Sequence, residues 1–366
     1  MNAGPTGAFM TQSLDVNDFY AWPTWSPDGS KVAASRVQVS GGQAEVSVEI
    51  LDAATGRSFT AYQNDVPSLV ADGAPHYLYW SPDSKWLSFL AATESGLTLF
   101  VADIETLAEP VAVESGAPLY FQWSGDSKSI MVHVGGELKR VGQPFGPTSE
   151  TLASASQGFR VPALSPDGKT IAYVGAGESL LLAQADTPEQ GRRVLDIGTL
   201  SAFAWSPDGL QLAVADQEDT RAPFFRRLRV FTAKGGSPKV VAEGQIMAFY
   251  WAPGGDRIAW VSLDTDERQF VWWAAQVPEG QPHQLFRFQP SSDVMIMLSF
   301  FDQYAYSHSP WAPDGSRLVV AGVRGQPIGR RNGQSPTGDH IFILDADGVA
   351  APLELAPGTL AFWSWN

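Results

Sequence analysis

The 366-residue chain contains no cysteine. That removes disulfides, thiolate metal sites, iron–sulfur ligands and thiol nucleophiles together, and it leaves the redox compartment open. Charge is also scarce: charged residues make up 17% of the chain, against about a quarter in an average domain. The shortfall is on the basic side, with 24 Lys and Arg against 39 Asp and Glu, a net charge of −15. Such a surface repels phosphate backbones and anionic membranes, so no nucleic-acid partner is expected. There are only five histidines, His76, His133, His283, His308 and His340, scattered along the chain. The longest strongly apolar run, Val294–Phe301 (VMIMLSFF), falls far short of the roughly 20 residues that a membrane-spanning helix needs. The N-terminus, MNAGPTGAFMTQSLD, has neither a basic nor an apolar leader region, so no signal peptide is expected there. No stretch longer than ten residues carries a clear helical period.

Turn formers and aromatics are plentiful. Gly 35 and Pro 26 punctuate a chain that is 44% hydrophobic and holds 13 Trp, a composition that supports a core and opposes disorder. The five-residue stretch WSPDG at Trp25–Gly29 returns, in strict or loosened form, at Trp80 (WSPDS), Trp123 (WSGDS), Leu164 (LSPDG), Trp205 (WSPDG), Trp251 (WAPGG) and Trp311 (WAPDG). The copies stand roughly forty to sixty residues apart, and a fixed period of that size marks a repeat architecture. An apolar or aromatic stretch precedes most copies (YAWPTW, HYLYW, SAFAW), and a short aliphatic run follows each one (WLSFLA, TIAYVG, RLVVAG). Third and fourth runs such as LTLFVAD and RRVLD complete each unit. All are strand-length and bounded by Gly, Pro, Asp and Ser.

Four strands in about forty residues describe a β-propeller blade. The fold class expected is therefore all-β: a single propeller of four-stranded blades over residues 19–366, with residues 1–18 as an N-terminal segment able to supply a ring-closing strand. Seven blades are preferred. An eighth, composite blade is the alternative, formed if residues 359–366 pair with residues 8–14. The motif itself reads as a turn. Pro presets φ, Asp binds backbone amides and Gly takes positive φ. Trp25, Trp80, Trp123, Trp205, Trp251 and Trp311 would pack between neighbouring sheets. Asp28, Asp83, Asp126, Asp167, Asp208 and Asp314 would hold turns, since acids spread around a ring cannot converge on one site.

The W-S-P-D-G pattern resembles the TolB-like, WD-like propeller repeat, from about Phe19 to the end of the chain. Leu164 replaces Trp in the fourth copy, and copies three and six lack the Pro-Asp pair. The resemblance implies that loops between second and third strands share a face with the loops between blades. It also implies an extracytoplasmic, envelope setting and a protein partner. Fold alone does not carry function.

The long loops fall on blades five, six, seven and one, and long loops on a rigid scaffold are where binding concentrates. Three stretches stand out. Gln217–Arg229 joins acids to Arg221, Phe224, Phe225, Arg226 and Arg227, an Arg–aromatic contact patch or a hairpin whose phenylalanines fold back onto the sheet. Val294–Trp311 offers Met295, Met297, Phe301, Asp302, Tyr304 and His308 at a channel mouth, or else an extended strand that plugs the ring. Val323–His340 offers Arg324, Arg330 and Arg331 as a positive spot for an anionic group, or a plain surface loop. No G-x-S-x-G elbow, H-E-x-x-H, P-loop or G-x-G-x-x-G follows a strand in this sequence. The expected function is a non-catalytic scaffold for a protein or ligand, with no cofactor. The alternative is a metal-assisted lyase, hydrolase or carbohydrate-active propeller drawing His76, Asp302 and His308 together at the channel.

Overall fold

A computed structural model describes residues 18–40, 43–63, 77–93, 96–154, 156, 160–175, 177–198, 200–217, 224–233, 235–325, 327–328 and 338–365. The first repeat is β1 (Asp18–Trp25), β2 (Lys31–Ser40), β3 (Gln43–Asp52) and β4 (Ser58–Gln63). The second is β5 (Tyr79–Trp80), β6 (Trp86–Thr93), β7 (Gly96–Asp103) and β8 (Val111–Ser115). The third is β9 (Leu119–Trp123), β10 (Ser129–Val134), β11 (Glu137–Gly142) and β12 (Glu150–Ala153). The fourth is β13 (Ala163–Leu164), β14 (Thr170–Gly175), β15 (Ser179–Gln184) and β16 (Arg192–Asp196). Each forms its own four-stranded antiparallel sheet.

The remaining repeats run into one ten-stranded sheet. It begins with β17 (Leu200–Trp205), β18 (Gln211–Gln217) and β19 (Phe225–Thr232). The long β20 (Lys239–Trp251) then serves as last strand of the fifth repeat and first strand of the sixth. The sheet continues through β21 (Arg257–Asp264), β22 (Gln269–Gln276), β23 (His283–Pro290), β24 (Arg317–Arg324), β25 (His340–Asp345) and β26 (Leu353–Pro357). Trp311 keeps only a single bridge to Leu318. Thr359–Trp365, expected as a further first strand, forms none. Its backbone is tied by a side chain instead, the Ser291 Oγ donating to the Thr359 carbonyl at 2.6 Å.

The chain divides into two compact bodies. One comprises Met1–Gly135, Lys139–Thr151 and Trp363–Asn366, the other Gly136–Leu138 and Leu152–Phe362. In the first body, Trp80, Leu87, Phe89, Ile50 and Leu78 pack with Phe59, Tyr62 and Phe100 at its core. Phe89 stacks on Phe100 with centroids 5.5 Å apart. Second strands are buried on consecutive residues, as at Leu87–Ala91 and Ile171–Gly175. Sheets covered on both faces produce continuous apolar runs rather than alternation.

The motif turns close the same way in the first five repeats, whereas Ala252 and Ala312 replace the serine in the last two. The Ser26 Oγ donates to Asp28 Oδ1 at 2.6 Å and accepts the Lys31 N–H at 2.9 Å, while the Gly29 N–H returns to the Ser26 carbonyl. Ser124–Asp126, Ser165–Asp167 and Ser206–Asp208 repeat the pattern. Hydrogen bonds from Ser124 and the Lys128 N–H hold Asp126 below the usual carboxylate range, and Ser165 and the Lys169 N–H do so for Asp167. The fifth motif residue takes positive φ, which costs glycine nothing. Ser84 and Ser127 accept that conformation, at 63° and 62°. Their hydroxyls take the N–H of Asp28 and Asp83 in the preceding turns, so the two departures from glycine gain a link between repeats. At Gly168 (φ +72°) an added Cβ would meet no atom within 4 Å. Gly168→Ala is therefore expected to cost about 1–2 kcal/mol through the backbone alone. Urea denaturation checks this, and a change of a few tenths would refute it.

The tryptophans link neighbouring repeats by hydrogen bond as well as by packing. The indole N–H of Trp80 donates to the Thr24 carbonyl, and that of Trp123 to Tyr79. In the second body Trp205 donates to Ala163, Trp251 to Ala204 and Trp311 to Tyr250. Each acceptor is the residue just before the motif's first position in the previous repeat. Leu164 has no side-chain N–H to donate in this way. A second regularity lies in the pairing of third and fourth strands, which slips by one residue in six repeats. The extra residue is Ala61, Val113, Val194, Val241, Leu285 or Leu355. Such bulges bend and twist the outer strand.

Candidate functional site

In the second body the stretch expected as a loop or extended strand is a pair of short helices. β23 ends at Pro290, which cannot continue a ladder. Ser291 then caps α1 (Ser292–Ser299), its Oγ accepting the Val294 N–H, with Asp293 in the first turn. An acid there suits the helix dipole. Phe300 breaks the helix, and α2 (Phe301–Ser307) follows, its last turn closed by the His308 N–H on the Tyr304 carbonyl.

α2 turns Phe301, Asp302, Gln303 and Tyr304 inward. Phe301 sits edge-on to Phe225 at 5.7 Å and 5.0 Å from Phe249. Phe225 thus folds back onto the sheet. Asp302 is buried, with Oδ2 2.9 Å from the Nε of Arg160. Burial raises its carboxyl above the usual range, while the Arg160 charge and the backbone N–H groups of Gln303 and Val161 pull it back down. Arg160 also donates from Nη1 to the Ser299 carbonyl at 2.9 Å and lies 5.9 Å from the Phe300 ring centroid. One guanidinium thereby serves the free carbonyl end of α1 and the acidic start of α2, where the two helix dipoles favour those charges. No motif marks Arg160 in the sequence. The capping pattern Ser291-Ser292-Asp293 is the signal that could have revealed α1.

His308 is buried, its Nδ1 2.6 Å from the Ser307 Oγ and its ring between Tyr304 (5.2 Å) and Phe362 (4.8 Å). Beside α1, Met297, Leu298, Pro310, Val320 and Phe362 line a crevice of about 30 Å³. That is room for a water or two, far less than a sugar needs. In the fifth repeat, Asp216 is fully buried across the strand pair from Arg227, whose Nη2 lies 3.1 Å away, and Arg229 Nη2 lies 2.9 Å from its other oxygen. The Gly198 N–H donates to the same carboxylate at 3.2 Å. Arg227 is therefore a strut at the neck of the β18–β19 connection.

Of the expected site residues, Phe225, Met297, Phe301, Asp302, Tyr304 and His308 are buried. Phe224, Arg227 and Met295 are half-buried, and Arg226 and Arg324 are exposed. Arg221, Arg330, Arg331, His76 and the expected closing strand at residues 8–14 lie outside the described residues. Among the described residues no three His, Asp or Glu side chains gather to hold a metal ion.

No family model and no curated protein sequence matches the chain. Solved structures do resemble it. An oligogalacturonate lyase from Vibrio parahaemolyticus superposes with a TM-score of 0.55 at 12% identity, over 90% of this chain and 86% of that one. A eukaryotic initiation factor gives 0.54 at 11% identity, over 95% and 90%. A TolB protein of Agrobacterium tumefaciens, at 16% identity over 87% and 94%, reaches only 0.42 and carries no argument. The neighbours are β-propellers, and this chain has a propeller fold. They include enzymes and non-enzymes, and at these identities the likeness shows the fold alone.

Proposed function

We propose that the chain is a non-catalytic propeller scaffold, its seven repeats forming seven blades, that holds a protein partner on the surface around α1 and α2. The observation that carries this reading is the Arg160–Asp302 clamp. It commits the acid of the helical pair to structure and ties the start of α2 to the carbonyl end of α1, both helices packing on β20. Phe300 remains half-exposed beside the guanidinium, and Met295 and Ile296 are half-exposed on α1. A rigid surface of methionine, aromatic and arginine is what protein interfaces favour. Phe224, Arg226 and Arg324 extend the same chemistry across the neighbouring repeats.

The test is cross-linked affinity capture from the source cells with the intact chain and with Met295→Glu and Arg226→Glu variants. One or more captured proteins are expected to be lost at least tenfold from both variants. An unchanged set across all three baits overturns the reading. Incubation with oligogalacturonate, with and without manganese, is expected to yield no unsaturated product. Product formation would replace the scaffold by an enzyme.

A further inference from the structure

The helical pair is held at its junction and at both outer ends. Arg160 joins the close of α1 to the start of α2. Ser291, before α1, and His308, after α2, instead meet residues 359–362. Ser291 is fully buried, and its polar groups tie three elements together. Its N–H donates to the Ala321 carbonyl of β24 at 3.3 Å, and its Oγ accepts the Val294 N–H that caps α1. The hydroxyl proton goes to the Thr359 carbonyl at 2.6 Å. At the other end the Phe362 ring stands edge-on to His308, with centroids 4.8 Å apart.

Residues 358–362 are lightly tied in themselves. They are half-buried and lie in no strand. Apart from the Thr359 carbonyl, their one backbone hydrogen bond among the described residues runs from the Gly358 N–H to the Asp339 carbonyl, at 2.9 Å. Leu360 and Phe362 line the crevice beside α1 together with Val294, Met297 and Leu298. That seat is incompletely filled. About 30 Å³ stays open, and Trp272 in its wall holds a buried indole N–H with no acceptor among the described residues. A void forfeits dispersion contacts, and a buried donor left unpaired is costly. Few backbone hydrogen bonds, partial exposure and loose packing place such a segment at the low-stability end of a fold. The helices it touches are themselves short, eight residues in α1 and seven in α2, and helices of that length persist only through tertiary contacts.

We infer that residues 358–362 form a clasp whose closed position orders α1 and α2, and whose release loosens both helices together while the sheet beneath stays folded. Ser291 carries the change at one end, because the hydroxyl oriented by the Thr359 carbonyl is the one that caps α1. Phe362 carries it at the other, by covering the residue whose N–H closes the last turn of α2. The clasp stands on these contacts alone. Its consequence, that release weakens capture of a partner, rests on the α1–α2 reading.

Hydrogen exchange of the intact chain, read by mass spectrometry over residues 295–307, tests the clasp. Phe362→Ala should speed exchange at least tenfold at residues 295–299 as well as beside His308, with β14 and β15 unchanged. Ser291→Asp keeps an acceptor for the Val294 N–H but, as a carboxylate, has no proton for Thr359, and should give the same pattern. Phe362→Leu keeps an apolar cover and should stay within about threefold of the parent. The clasp is overturned if residues 295–299 of Phe362→Ala exchange as in the parent, if only residues 304–308 respond, or if β14 and β15 speed up to the same extent. Cross-linked capture with Phe362→Ala tests the consequence separately. It should lose the same proteins as Met295→Glu, and an unchanged set overturns that consequence while the exchange result decides the clasp.

Discussion

Asp302→Ala is expected to lower the unfolding free energy by about 3 kcal/mol, the low end for one partner of a buried pair, because the arginine left behind is partly wet. Arg160 keeps 22% of its side chain exposed and Asp302 5%. The fall in Tm would be about 4 °C for a chain of 366 residues. The pair also has a pH signature. Burial raises the Asp302 carboxyl even with Arg160 beside it. Between its unfolded and native pKa values the native state therefore binds more protons than the unfolded one. Its contribution to stability is present in acid and is lost as pH rises through the native value. Arg160→Met removes the charge that pulls this pKa down, so the loss should continue to higher pH than in the parent. Asp302→Asn should show no such slope. Urea titrations between pH 4 and 8, read by tryptophan fluorescence, decide this. A cost below about 1 kcal/mol for Asp302→Ala would show that the helices are held by packing alone.

Trp311→Ala is expected to cost about 3–5 kcal/mol, the range for truncating a buried aromatic. Trp311 is 1% exposed and is the largest fully buried side chain described. The effect has two parts that a second variant separates. Trp311→Phe keeps most of the apolar volume but removes the indole hydrogen bond to the Tyr250 carbonyl at 3.1 Å, which should cost about 0.5–1.5 kcal/mol. Trp365, 43% exposed, provides the control, and Trp365→Phe should stay within about 0.5 kcal/mol. Equal costs for Trp311→Phe and Trp365→Phe would show that the motif tryptophan acts by volume alone.

The repeat was legible because a blade is made of local contacts. Turn chemistry, strand length and a Trp at a fixed place recur every forty to sixty residues, and neither depends on distant partners. The unbroken burial along the second strands was legible for the same reason. The helices at Ser292–Ser307 were not. Their apolar residues face several directions, so periodicity is weak, and the cap at Ser291 stood inside a stretch that read as a long loop between blades. The clamp was illegible in principle, since Arg160 and Asp302 lie 142 positions apart and nothing local distinguishes either. The burial of Asp302, Tyr304 and His308 left the choice between channel-mouth groups and a plug undecided in the sequence, because burial depends on what packs above a side chain. The bulge in six of the outer strands was likewise invisible, because a one-residue slip leaves composition and alternation almost unchanged.

Composition and spacing by themselves determined an all-β repeat protein and the turn that starts each unit, because both follow from backbone geometry over a few neighbouring residues; the long loops expected on blades one and six are short turns instead, with two residues between β2 and β3 and four between β21 and β22. Only the tertiary structure decided which of the loop residues are struts and which face outward, and where Arg160, Arg227 and Arg229 are consumed, because those outcomes depend on which distant side chains remove one another from water.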